Sequence, residues 1–147
     1  MAGPADLARQ LLELAAADEL AARTLSDAAG ISDAIVGFHA QQSVEKALKA
    51  VLASHEIEFP FTHDLDGLME LCKTNGIDMP SELDGVDRLT PYGVQWRYGG
   101  ASSQPHPAGG EGYEQYWDEC VSRPQWANFA MTPDFRSGRY RGLLPVM

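Results

Sequence analysis

The amino-acid sequence predicts an all-α protein: an antiparallel, up-and-down bundle of four to five helices followed by an irregular C-terminal tail. Three observations carry this expectation. Apolar residues return at three- and four-residue steps through the first two thirds of the chain. No run of useful length alternates apolar with polar residues as a half-buried strand does. Gly and Pro number 11 in residues 1–98 and 12 in residues 99–147, about twice the density, and no apolar period survives among the latter. The chain therefore divides into a helical body, residues 1–98, and a Gly/Pro-rich irregular tail, residues 99–147.

The first helix is expected over residues 4–28, with Leu7, Leu11, Leu14, Ala22 and Leu25 turned inward. Pro4 suits a first helical turn, and Gly30 suits the stop. The second helix is expected over residues 31–54, with a broad apolar arc of Ala34, Phe38, Val44, Leu48, Val51 and Leu52. Pro60 disfavours helix at Phe59, which makes residues 56–62 a loop. A third helix starts near Asp64 with Thr62 as its N-cap, buries Leu65, Leu68, Met69 and Cys72, and ends at Gly76. Ser81-Glu82-Leu83-Asp84 has the form of a capping box, opening a fourth helix that carries Leu83, Val86 and Leu89. Pro91 kinks or ends that helix, and residues 92–98 resume as a short helical piece. In the tail only residues 111–121 keep a helical spacing, with Tyr113, Tyr116, Trp117 and Cys120 on one side.

A length of 147 residues allows one compact domain and hardly a second, and a domain of this size can bury a core without metals or disulfides. Eleven basic against 21 acidic residues give a net charge of −10, which argues against a broad surface for nucleic acid. No apolar run approaches a membrane span, and Asp6, Glu13, Asp18 and Glu19 are foreign to a signal peptide. A cytoplasmic location is expected. Cys72 and Cys120 form no CxxC and no zinc spacing with histidine, so they read as core thiols in a reducing compartment. No metal and no cofactor is expected.

The most informative local pattern lies in the second helix. At 3.6 residues per turn, with Phe38 as zero, Gln41 falls at about 300° and Glu45 at about 340°. Leu48, at about 280°, and Leu52, at about 320°, share that arc, so an amide and a carboxylate stand among core positions. Gln42 and Lys49 flank it. A buried amide or carboxylate left without a partner costs about 1–3 kcal/mol or more, so something must meet these groups. The stripe lines either a pocket or subunit interface, or a solvated seam. Candidate partners are Lys46, His63, Arg97 and Tyr98. Arg97 has the fork geometry to hold a carboxylate or phosphate. His63, just before the third helix, either meets a ligand anion there or orders the turn. His39 and His55 read as helix-surface residues.

Several chemistries find no motif. ExxH, HExxH, GxxxxGK[ST], GxSxG and a Gly-rich turn after a strand are all missing, and neither cysteine has a histidine that the sequence nominates as its base. No catalytic residue is nominated.

The segment Phe38-His-Ala-Gln-Gln-Ser-Val-Glu-Lys-Ala-Leu-Lys-Ala-Val-Leu52, with Thr62-His-Asp-Leu65 and Trp96-Arg-Tyr98, resembles the HEPN domain family in residue type, order and spacing. The resemblance covers about residues 5–98, and it is to the type associated with minimal nucleotidyltransferases. It implies a helical bundle, often dimeric, that works on or with nucleotides or RNA. One branch of the family consists of non-catalytic partners of minimal nucleotidyltransferases. The other consists of metal-independent ribonucleases, including toxins of toxin–antitoxin pairs, which carry an arginine and a histidine with four to six residues between them. Here Arg9, Arg23, Arg88 and Arg97 have no histidine at that separation, and the tail departs from the family's final amphipathic helix.

The expectation is a nucleotide- or partner-binding helical module, auxiliary to a minimal nucleotidyltransferase and forming a homodimer. Gln41, Gln42, Glu45, Lys46, His63, Arg97 and Tyr98 are its candidate ligand or partner contacts. An RNA endonuclease and a non-catalytic dimerising module are the alternatives.

Overall fold

The computed structural model describes residues 3–79 and 83–94, which are all-α with no strand among them. The expectations for Arg97, Tyr98, the boundary at 98 and the helix at 111–121 lie outside these residues. Helix α1 spans Pro4–Ser26, α2 Asp33–Ser54, α3 Leu65–Thr74 and α4 Thr90–Val94, with a 3₁₀ turn at Val86–Leu89 ahead of α4.

Helix α1 opens where the sequence places it. Pro4 occupies the first turn, and the Gly3 N–H donates to the Asp6 carboxylate at 3.0 Å. It ends at Ser26, two residues short of expectation. A tight connection through residues 27–32, with Gly30 at φ +83°, returns the chain antiparallel to itself as α2.

The face that α1 buries differs from the one its leucines suggest. Ala8, Leu12, Ala15 and Ala22 are buried, whereas Leu7 and Leu14 stay 43% and 51% exposed. Leu11 and Leu25 pack only partly against the core. The cause is close approach of the two backbones. Ser43 Oγ on α2 donates to the Ala15 carbonyl at 2.7 Å, a reach possible only where small residues form the seam. Val36, Ala40, Ala47 and Ala50 share the Ser43 face of α2 and are also buried. Of the α1 leucines only Leu12 is buried; Leu7, Leu11, Leu14, Leu20 and Leu25 flank the seam.

Helix α2 is the centre of the bundle. From Ala40 to Ala53 every residue except Lys46 and Lys49 is buried. Its end carries a six-to-one bond from the Ile57 N–H to the Leu52 carbonyl at 2.9 Å and a tighter one from Glu56 to Ala53 at 3.0 Å. That motif places the residue after the cap in the left-handed region, and here it is Glu56, at φ +56°. A Cβ in this conformation is strained. Glu56→Gly is therefore expected to raise stability by about 0.5–1 kcal/mol, read as a higher urea midpoint with an unchanged slope.

The same motif closes α3 with the residue the geometry prefers. Gly76, at φ +76°, follows the Asn75 cap, Ile77 N–H reaches the Cys72 carbonyl at 3.0 Å, and Ile77 is buried. Leu65, Leu68, Met69 and Cys72 face inward as expected. The N-cap, however, is Asp64 rather than Thr62. The Thr62 hydroxyl instead accepts from the Asp64 N–H at 3.1 Å, turning the chain into the cap position.

The fourth element is not one helix kinked at Pro91. Gly85, at φ +81°, breaks the chain, the 3₁₀ turn follows, and Pro91 lies in the first turn of the new helix α4. Leu83, Val86 and Leu89 are buried nonetheless. α4 lies directly on α2: a Cβ on Gly37 would come within 2.7 Å of Tyr92 Cε1, so only glycine lets the ring sit there. The Thr90 hydroxyl accepts the Leu65 N–H at 3.2 Å, meeting one of the donors that α3 leaves open at its start.

Candidate functional site

Gln41 and Glu45 stand one turn apart on α2, and both are buried. Their side chains form a polar hub within the core. Glu45 accepts three hydrogen bonds: Lys49 Nζ reaches Oε1 at 2.7 Å, while Gln41 Nε2 and His63 Nδ1 both reach Oε2 at 2.8 Å. An ionised carboxylate only accepts, so the His63 ring carries its proton on Nδ1. Gln41 Nε2 also donates to the His63 carbonyl at 3.3 Å, and Gln41 Oε1 accepts from Gln42 Nε2 at 2.8 Å. Both amide hydrogens and the amide oxygen of Gln41 are thus engaged. From α4, Gly93 lies so close that a Cβ there would come within 2.6 Å of Gln41 Cδ.

Burial alone would raise the Glu45 pKa, but the bonds from Lys49, Gln41 and His63 and the charge of Lys49 outweigh it, and the carboxyl stays below the ordinary glutamate range. A carboxylate so held is a poor proton acceptor. Its effect is mechanical, because His63 begins the turn into α3 and is held to α2 through both side chain and carbonyl. The ring remains 45% exposed, and Nε2 is the atom through which it can meet a ligand.

A second cluster ties α1 to α2. Asp18 accepts from His39 Nδ1 at 2.9 Å through Oδ1 and from Lys46 Nζ through Oδ2. Lys46 therefore does not join the stripe: it points toward α1, and the cation on Glu45 is Lys49. His39 is half-buried in this cluster instead of lying on the open surface. Of the sequence candidates, the structure brings together Gln41, Gln42, Glu45 and His63 and sets Lys46 apart.

The HEPN domain model matches residues 8–123. The chain belongs to the HEPN domain family. No curated protein and no solved structure matches it. The match runs past the composition break near residue 98 and takes in the first part of the Gly/Pro-rich stretch. In this HEPN domain the segment from Gln41 to Lys49 supplies most of the hub, and His63 and Gly93 complete it.

Two hub residues were not among the sequence candidates. Lys49 follows Glu45 by four, the spacing that places a cation beside a carboxylate on one helix face, and that signal was legible. Gly93 carried none, because close approach of a backbone leaves no mark in a single sequence. Among the described residues no group of three metal-binding side chains occurs, and no helix is long and apolar enough to cross a membrane. Burial pushes the Cys72 thiol up to about 11, well away from a reactive thiolate.

Proposed function

We propose that this HEPN domain is a non-catalytic auxiliary subunit of a minimal nucleotidyltransferase, docking on that partner and presenting His63 to the partner's nucleotide. The saturation of the hub supports this reading. Every polar atom of Gln41 and both oxygens of Glu45 already have partners inside the protein, so these two side chains position a loop and neither is free to act as a base. Glu58, Asp64 and Asp66 surround His63 in sequence, so the partner supplies the cations that a triphosphate requires. Arg97 and Tyr98 are proposed as further phosphate or partner contacts, and a homodimer is the proposed assembly of the free chain.

The test combines the chain with a minimal nucleotidyltransferase of the same genome. The two are expected to co-elute, and calorimetric titration of the complex with nucleoside triphosphates and magnesium should saturate. His63→Ala should weaken that binding by about ten- to a hundred-fold, the loss of one hydrogen bond to a charged group, with the fold intact. Labelled RNA should remain uncut by the chain alone. Cleavage that disappears in His63→Ala overturns the proposal in favour of an endonuclease.

A further inference from the structure

The connection between α2 and α3 is fastened at almost every residue that has something to fasten. Ile57 is held by its bond to Leu52, and Phe59 packs on the core with Lys49 Nζ 6.0 Å from its ring centre. Pro60 fixes its own φ. Thr62 braces Asp64, and His63 is bound to the hub twice. Between these points Phe61 stands out completely, with a relative exposure of 109%.

A bulky aromatic at the apex of a braced loop gains nothing for the free protein, since its burial would have been favourable. It has already lost most of its backbone freedom, which is the entropy an interface anchor otherwise loses on binding. The charge around it in the sequence is one-sided: Glu56, Glu58, Asp64 and Asp66 lie within five residues with no Lys or Arg among them, and Lys49, over Phe59, is committed to Glu45. A nucleobase would bring its phosphates into that field, whereas a basic surface is drawn to it.

We propose that Phe61 is the anchor of a docking face, inserting into an apolar pocket on a partner protein whose rim is lined by Lys and Arg. This rests on the partner-binding reading above and places the contact within two residues of His63. Docking at Phe61 would then carry His63 onto the partner's surface.

The test replaces Phe61, and separately the exposed Leu20 of α1, with photo-reactive benzoylphenylalanine in the full chain, with irradiation in cells and mass mapping of adducts. Position 61 is expected to join a different protein at an apolar segment flanked by Lys or Arg. Glu58→Lys should lower the adduct yield several-fold. Phe61→Ala should leave Tm within about 1 °C, as an exposed site does, and weaken co-elution with the nucleotidyltransferase at least about tenfold. An adduct only to a second copy, to residues 95–147 or to nucleic acid overturns the docking face, as does no adduct at 61. If co-elution persists through such a failure, the auxiliary-subunit reading stands and only the face is wrong. If co-elution is absent as well, both fall.

Discussion

Glu45→Ala is expected to lower the unfolding free energy by about 3–5 kcal/mol, the usual cost of removing one partner from a buried charge pair. The substitution strands three donors at once: Lys49 Nζ, Gln41 Nε2 and His63 Nδ1. The Lys49 side chain is only 13% exposed, so water replaces the lost carboxylate poorly. Urea denaturation at neutral pH measures the loss as a lower midpoint. Glu45→Gln keeps an acceptor and should lose less. The pair Glu45→Leu with Lys49→Met removes both charges together and should recover most of the stability. A single-variant loss below about 1 kcal/mol would mean that the hub contributes no more than an exposed ion pair.

The same carboxylate sets an acid limit. Its folded pKa lies below its unfolded one, so the stabilisation is complete at pH values above the ordinary glutamate pKa of about 4.3. It is lost as the pH falls through the lower, folded value. Wild type should therefore lose stability on acidification through this window more steeply than Glu45→Gln, whose amide does not titrate.

Gly93→Ala is the second large effect, at about 2–4 kcal/mol. Its Cβ would lie 2.6 Å from Gln41 Cδ and 2.7 Å from Oε1. Overpacking of this kind costs about 1–3 kcal/mol, and each hydrogen bond the amide gives up in retreating adds about 1 kcal/mol. Gln41 cannot withdraw freely, because Glu45, the His63 carbonyl and Gln42 hold it. A double-mutant cycle isolates the contact: in a Gln41→Ala background, Gly93→Ala should cost markedly less. Additive losses would show that the damage lies in α4 itself.

What the sequence made legible follows from which forces leave a periodic trace. The core face of α3 did, because one side of that helix repeats at helical spacing; in α2 Val44, Leu48, Val51 and Leu52 are buried where the period puts them, while Ala34 and Phe38 are only half-buried. So did the stripe of Gln41 and Glu45, since polar residues inside an apolar arc need partners. Ala22 is buried as its spacing implies, but the rest of the α1 face is turned from the one its leucines mark, because leucine marks hydrophobicity whereas close packing against Ser43 selects alanine. Lys46 reads as a partner of the stripe in the sequence because its true partner, Asp18, is 28 residues away on another helix. The break at Gly85 was missed because a capping-box pattern and apolar spacing both favoured one continuous helix, and neither detects a left-handed residue. Thr62 and Asp64 are both favoured cap residues, and the sequence does not separate them; the Thr62 hydroxyl accepts from the backbone of the actual cap.

The burial of α2 bears on motion. A helix with almost no face to water between Ala40 and Ala53 cannot fray along its length without opening the molecule. Its amide protons are therefore released only at the cost of global unfolding. A signal arriving at His63 cannot spread by local melting of α2. It must travel by tilting α3 and α4 as rigid pieces about a spindle that does not move.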